Sequence, residues 1–116
     1  MNEKVVRVTQ VYIAQYPDPI DAPEGALLDV DRQDADNPEW WWCRADDGRA
    51  GWVPAVLLDP SPSPSARARL RTPYSARELS VRINEELVVE QVHAGWLLVS
   101  NRGGERGWVP VTHVEH

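Results

Sequence analysis

Apolar and polar side chains alternate over short stretches of this chain, and no stretch carries a helical stripe. Near the N terminus, Val6, Val8 and Gln10 fall on one side of a strand, with Val5, Arg7, Thr9 and Val11 on the other. Aliphatic runs at 27–30 and 87–92 predict further strands. Two Trp-led strands, 40–45 and 96–100, follow these runs. Each ends in a turn signal, Asp46-Asp47-Gly48 in one case and Asn101-Arg102-Gly103-Gly104 in the other. Gly-Trp-Val-Pro then supplies a partner strand, which its proline stops. Short strands punctuated by Gly and Pro predict an all-β fold, a small barrel or sandwich. The only helical geometry expected is a 3₁₀ turn after each such proline, at 55–57 and 111–113.

The pattern occurs twice. Gly51-Trp52-Val53-Pro54 returns as Gly107-Trp108-Val109-Pro110, an offset of 56, and Trp40 returns as Trp96. Residues 25–30 correspond to 84–89 at an offset of 59, so the first copy carries three extra residues before Trp40. Between the copies lies Asp59-Pro60-Ser61-Pro62-Ser63-Pro64-Ser65, whose composition favours an extended, unpacked segment. The expectation is two small domains, 5–59 and 66–116, joined by a Pro/Ser linker at 60–65. Domains this small bury only about 60% of their unfolded surface, so contact between the two is expected to support both.

Composition narrows the function. The chain has 116 residues and a net charge of −6, which disfavours nucleic acid as a partner. No apolar run has membrane-spanning length and the first residues show no export pattern, so a soluble cytoplasmic protein with no membrane partner is expected. The single cysteine, Cys43, builds neither an internal disulfide nor a metal site, and no cofactor motif is present. Without a nucleophile elbow, a phosphate cradle or a Cys-His motif, no enzyme is predicted. Six Trp, three Tyr and no Phe form an aromatic set better suited to recognition than to filling a core.

The ordered features resemble the Src-homology-3 (SH3) family in two tandem copies, with a likeness to its bacterial SH3-like relatives. The first copy carries Val8-Thr9-Gln10-Val11-Tyr12, an acidic loop, Glu24-Gly25-Ala26-Leu27-Leu28-Asp29-Val30, Trp40-Trp41-Trp42-Cys43 and Gly51-Trp52-Val53-Pro54. The second carries Glu78-Leu79-Ser80-Val81, Glu86-Leu87-Val88-Val89, Gly95-Trp96-Leu97-Leu98-Val99 and Gly107-Trp108-Val109-Pro110. The resemblance implies two five-stranded barrels acting as a peptide-binding adaptor, with aromatic grooves for extended, proline-rich or basic peptides. It implies one groove of Tyr12, Trp40, Trp52, Pro54 and Leu57, and another of Tyr74, Trp96, Trp108, Pro110 and His113. Asp18, Asp21 and Glu24 in the first copy, and Glu78 in the second, stand where the family holds a ligand's Arg or Lys. Gln10 and Leu57 replace two of the family's tyrosines, and His113 replaces one in the second copy.

Two other readings stand beside this one: a structural pair whose grooves pack on themselves, and an aromatic cage for a cationic group. In the first Trp-led strand, alternation puts Trp41, Cys43 and Ala45 on the core face and Trp40, Trp42 and Arg44 outside. Trp40 and Trp42 then need cover from a ligand, the linker or the other copy. Residues 1–59 hold twelve acids and five bases, net −7, whereas 60–116 hold six and seven, net +1. The first copy is therefore expected to be the principal site, to prefer basic peptides, and to have Arg67, Arg69 and Arg71 as its nearest basic group.

Overall fold

Alternation decides where each strand faces. In Lys4–Val8 the side chains of Val6 and Val8 are buried, Val5 and Arg7 face out, and Lys4 is exposed at the strand end. In Arg67–Leu70, Ala68 and Leu70 are buried and both arginines face out. The computed structural model describes residues 3–115 and is built of strands: β1 (Lys4–Val8), β2 (Asp21–Ala22), β3 (Leu27–Gln33), β4 (Trp40–Ala45), β5 (Ala50–Pro54), β6 (Leu58–Asp59), β7 (Arg67–Leu70), β8 (Tyr74–Ser75), β9 (Glu86–His93), β10 (Trp96–Ser100), β11 (Arg106–Pro110) and β12 (Val114–Glu115). The 3₁₀ turns, Ala55–Leu57 and Val111–His113, sit where expected, directly after Pro54 and Pro110.

The chain folds as two compact units, and neither is a contiguous repeat. A terminal unit joins Met1–Pro17 to Arg77–His116, and a central unit comprises Asp18–Ala76. This division differs from the expected domains 5–59 and 66–116. In the terminal unit the strand order is β11-β10-β9-β1-β12, and in the central unit it is β5-β4-β3-β7-β6. The first strand of each repeat has therefore entered the sheet made by the body of the other. β1 pairs with β9 (Val6↔Leu87) and β12 (Val8↔Val114), while β7 pairs with β3 (Leu28↔Ala68) and β6 (Leu58↔Leu70). Among the described residues both orders are linear, so the expected closed barrel is, in hydrogen-bonding terms, an open five-stranded sheet. The Pro/Ser segment is likewise not a spacer between units. It connects the antiparallel neighbours β6 and β7 inside the central unit.

Charge gives this exchange a physical reason. Residues 18–59 carry eleven acids and three arginines, and β7 with its flank delivers Arg67, Arg69 and Arg71 to them. Arg67 bonds Asp29 at 2.9 Å and Asp46 at 3.3 Å, Arg71 lies 3.9 Å from Asp59, and Arg69 donates to the Gly25 carbonyl at 2.9 Å. Each exposed pair is worth at most about 1 kcal/mol, but together they offset the self-repulsion of the acidic segment. The units then carry −5 (residues 18–76, eleven acids and six bases) and −1 (the remainder, seven and six) in place of the −7 and +1 of the sequence halves.

The terminal core gathers Val6, Val8, Tyr12, Leu79, Val81, Leu87, Leu97, Val99, Val109 and Val114. The buried side chains of the central unit include Ile20, Leu28, Val30, Trp41, Cys43, Val53, Leu58 and Leu70. The Gly-Trp-Val-Pro glycines are set by close approach. A Cβ on Gly107 would lie 2.8 Å from the Leu79 nitrogen, and one on Gly51 would lie 2.7 Å from Ala76 Cβ.

Candidate functional site

After β1 the chain runs beside the second 3₁₀ turn, where the Thr9 and Gln10 amides both donate to the His113 carbonyl, at 2.8 and 3.3 Å. It then pairs with the segment after Arg77: Tyr12 and Val81 exchange two backbone bonds, at 3.1 and 2.9 Å. These contacts seat the Tyr12 ring edge-on to Trp96 (centroids 5.8 Å apart, 79°) and to His113 (5.5 Å, 81°). Trp96 opens β10 opposite Pro110 of β11. Trp96, Pro110 and His113 are each half-buried. At the end of this aromatic row the Tyr12 hydroxyl donates to Glu78 Oε1 at 2.6 Å, and the Gln15 amide donates to the same oxygen at 3.0 Å. The Tyr12 hydroxyl is held above the ordinary tyrosine range, first by burial and then by its bond to the Glu78 carboxylate. The row thus consists of a buried ring, Tyr12, flanked by two half-buried ones, Trp96 and His113, and it leads to a carboxylate.

The central unit is built differently at corresponding places. Its tyrosine, Tyr74, is as buried as Tyr12 (7% against 8% exposed) but donates its hydroxyl to the Trp52 carbonyl at 2.8 Å. Trp40, opposite Pro54, is only 5% exposed and Pro54 is buried, whereas Trp52 and Leu57 are half-buried. Asp18, Asp21 and Glu24 are exposed. Trp42 does not need the other copy for cover. It meets Trp52 of its own unit at 5.1 Å and 72°, and the Arg32 guanidinium lies 5.5 Å from the Trp42 ring and 5.6 Å from the Trp52 ring.

The two expected residue sets are thus kept together except for their tyrosines, which change places. Trp40, Trp52, Pro54, Leu57, Asp18, Asp21 and Glu24 share the central unit, but with Tyr74. Glu78, Trp96, Trp108, Pro110 and His113 share the terminal unit, but with Tyr12. Trp108, 5% exposed, and Trp40 are buried rings, not the solvent-facing contact surfaces expected of them. Arg32 was absent from the expected site; its one signal in the sequence is its place in the stretch lengthened by three residues.

Cys43 is fully buried, and burial, with the charge of Asp31 behind it, pushes its thiol up to about 12. A thiol so far from ionising is packing, not chemistry. Among the described residues no group of His, Cys, Asp or Glu is arranged to hold a metal ion, and no helix is long and apolar enough to cross a membrane.

Residues 5–60 match the family model of the variant SH3 domain. The actin cytoskeleton-regulatory complex protein SLA1 of Mycosarcoma maydis is 29% identical over 129 aligned residues, which cover 90% of this chain and 10% of that protein. The chain spans about a tenth of the length of the curated relative it matches. No solved structure matches it. The family match follows the sequence repeat rather than the compact unit, since it takes in β1 and stops before β7. Over residues 5–60, the chain is similar to the variant SH3 domains.

Proposed function

We propose that this chain is a non-catalytic protein-interaction module of two interleaved SH3-type folds, and that its terminal unit binds extended, proline-rich peptides carrying Arg or Lys. One observation carries the reading: Trp96 and His113, both half-buried, flank the buried Tyr12 ring in an aromatic row that ends on the Glu78 carboxylate. A polyproline II ligand is already extended, so little ordering entropy opposes its docking on such rings. Glu78 Oε1 takes both internal bonds, which leaves Oε2 for a donor from the ligand. On this reading the principal site lies in the terminal unit, not around Trp40 as the sequence halves suggest. For the central groove a structural role is favoured, because Trp40 and Pro54 are already buried.

Titration with proline-rich peptides, with and without arginine, followed by calorimetry, tests this reading. Trp96→Ala is expected to weaken binding about tenfold or more, as loss of an aromatic anchor does. Glu78→Gln should weaken the arginine-bearing peptides and leave the uncharged ones unchanged. Absence of binding to every peptide, or equal binding by Trp96→Ala and the natural chain, contradicts the proposal.

A further inference from the structure

The outer face of β3, β4 and β5 carries a feature that the Tyr12–Trp96 groove does not use. Arg32, Trp42 and Trp52 are cross-strand neighbours on a single rung, Arg32↔Trp42 and Trp42↔Trp52. The core face of β4 and β5 is filled by Trp41, Cys43 and Val53, so Trp42 and Trp52 are not needed to close the interior. Both remain half-buried, and their rings meet at 72° to form a corner. The Arg32 guanidinium sits in that corner, 5.5 and 5.6 Å from the two ring centroids, inside the range where a cation is drawn to an aromatic face. It is also ion-paired with Asp31 at 2.7 Å, with both side chains more than half exposed. Water and solutes therefore reach the Arg32–Asp31 pair.

The terminal unit shows that the fold does not require this corner. Its corresponding rung is Gln91↔Leu98↔Trp108, with no cation and only one ring. Two tryptophans, a carboxylate paired with the cation that lies over them and a unit of net charge −5 make the chemistry of a cation seat. We propose that the Trp42–Trp52 corner, with Asp31, is a second binding site, for a guanidinium or alkylammonium group, and that Arg32 is an internal occupant which an incoming cation displaces. The site is separate from the Tyr12–Trp96 groove and does not depend on that groove binding anything. An exposed arginine on aromatic rings is held weakly, so a ligand cation competes with it at a modest cost in affinity.

The test uses the full chain and three probes: a short blocked glycine peptide with a central arginine, the same peptide with uncharged citrulline, and tetramethylammonium. The indole N–H resonances of Trp42 and Trp52 report occupancy. The arginine peptide is expected to shift both resonances and the citrulline peptide neither. Arg32→Ala should tighten the arginine peptide about two- to fivefold, and Trp42→Leu should remove the response. Arg32→Gln, which keeps the length of the side chain, should show the same gain and keeps the test decisive if the alanine variant does not fold. Trp96→Ala should leave this binding unchanged, which separates it from the groove. Tighter binding of tetramethylammonium than of the arginine peptide would identify a quaternary ammonium as the preferred form of the same cation. Equal shifts from arginine and citrulline peptides, or an affinity that both Arg32 variants leave unchanged, would overturn the proposal.

Discussion

The terminal and central units carry the same arrangement of five strands and differ in what is mounted on it. Where the terminal unit has Glu78, the corresponding residue of the central unit is Pro19, so Tyr12 finds a carboxylate and Tyr74 has to donate to the Trp52 carbonyl instead. Where the terminal unit has Gln91, Leu98 and Trp108 on one rung, the central unit has Arg32, Trp42 and Trp52. His113 beside Tyr12 is matched by Leu57. One backbone therefore supports an aromatic row ending on an acid in one unit, and a buried groove with an outward aromatic corner in the other. A few substitutions at equivalent positions are enough to change what the sheet carries.

The largest expected effect breaks the link between repeat and unit. Leu70, in the second repeat, is buried in the central sheet, so Leu70→Ala should destabilise that unit by about 2–5 kcal/mol. Hydrogen exchange should then quicken in β3 and β4 and not in β9 and β10. Faster exchange in β9 and β10 alone would mean that each repeat folds on itself. Gly107→Ala should cost the terminal unit about 1–3 kcal/mol, because the added methyl meets the Leu79 and Glu78 backbone. Gly51→Ala should cost the central unit less, since its nearest neighbour there is the Ala76 side chain. Urea unfolding of the two variants measures the difference.

Alkaline pH should separate the units further. The folded chain holds Cys43 protonated up to about 12, while an unfolded thiol ionises near 9. The stabilisation is thus complete below about pH 9 and is lost as pH rises toward 12, at most about 1.4 kcal/mol per pH unit. Cys43→Val should flatten this slope for the central unit and leave the terminal unit's response, set by Tyr12, in place. The smallest effect concerns the two tyrosines. Tyr74→Phe removes a bond to a neutral carbonyl, about 0.5–1.5 kcal/mol, and Tyr12→Phe, which removes one to a carboxylate, should cost more.

Local signals in the sequence reached the strands, the turns and the faces. The Trp-led strand places Trp41 and Cys43 inward, as alternation requires, and both 3₁₀ turns follow their prolines. The exchange of first strands was not legible from pattern, because β1 and β7 present the same alternation of exposed and buried residues and fit either body equally well. Charge was the available signal. Arg67, Arg69 and Arg71 were recognisable as a basic group facing an acidic repeat, but they arrive as a strand of its sheet and not as a ligand on its surface. Grouping site residues by repeat pairs Tyr12 with Trp40, whereas the fold sets it beside Trp96. The role of Arg32 was illegible for a related reason: the bulge between Val30 and Arg32 sets which rung it joins, and a count along the chain does not show a bulge.

Proton–proton contacts in solution show whether the aromatic row around Tyr12 is shared between the repeats. A nuclear Overhauser spectrum of the full chain should show cross-peaks from the Tyr12 ring to the rings of Trp96 and His113, whose centroids lie 5.8 and 5.5 Å away. Cross-peaks from Tyr12 to Trp40 or Leu57, with none to Trp96, would contradict it.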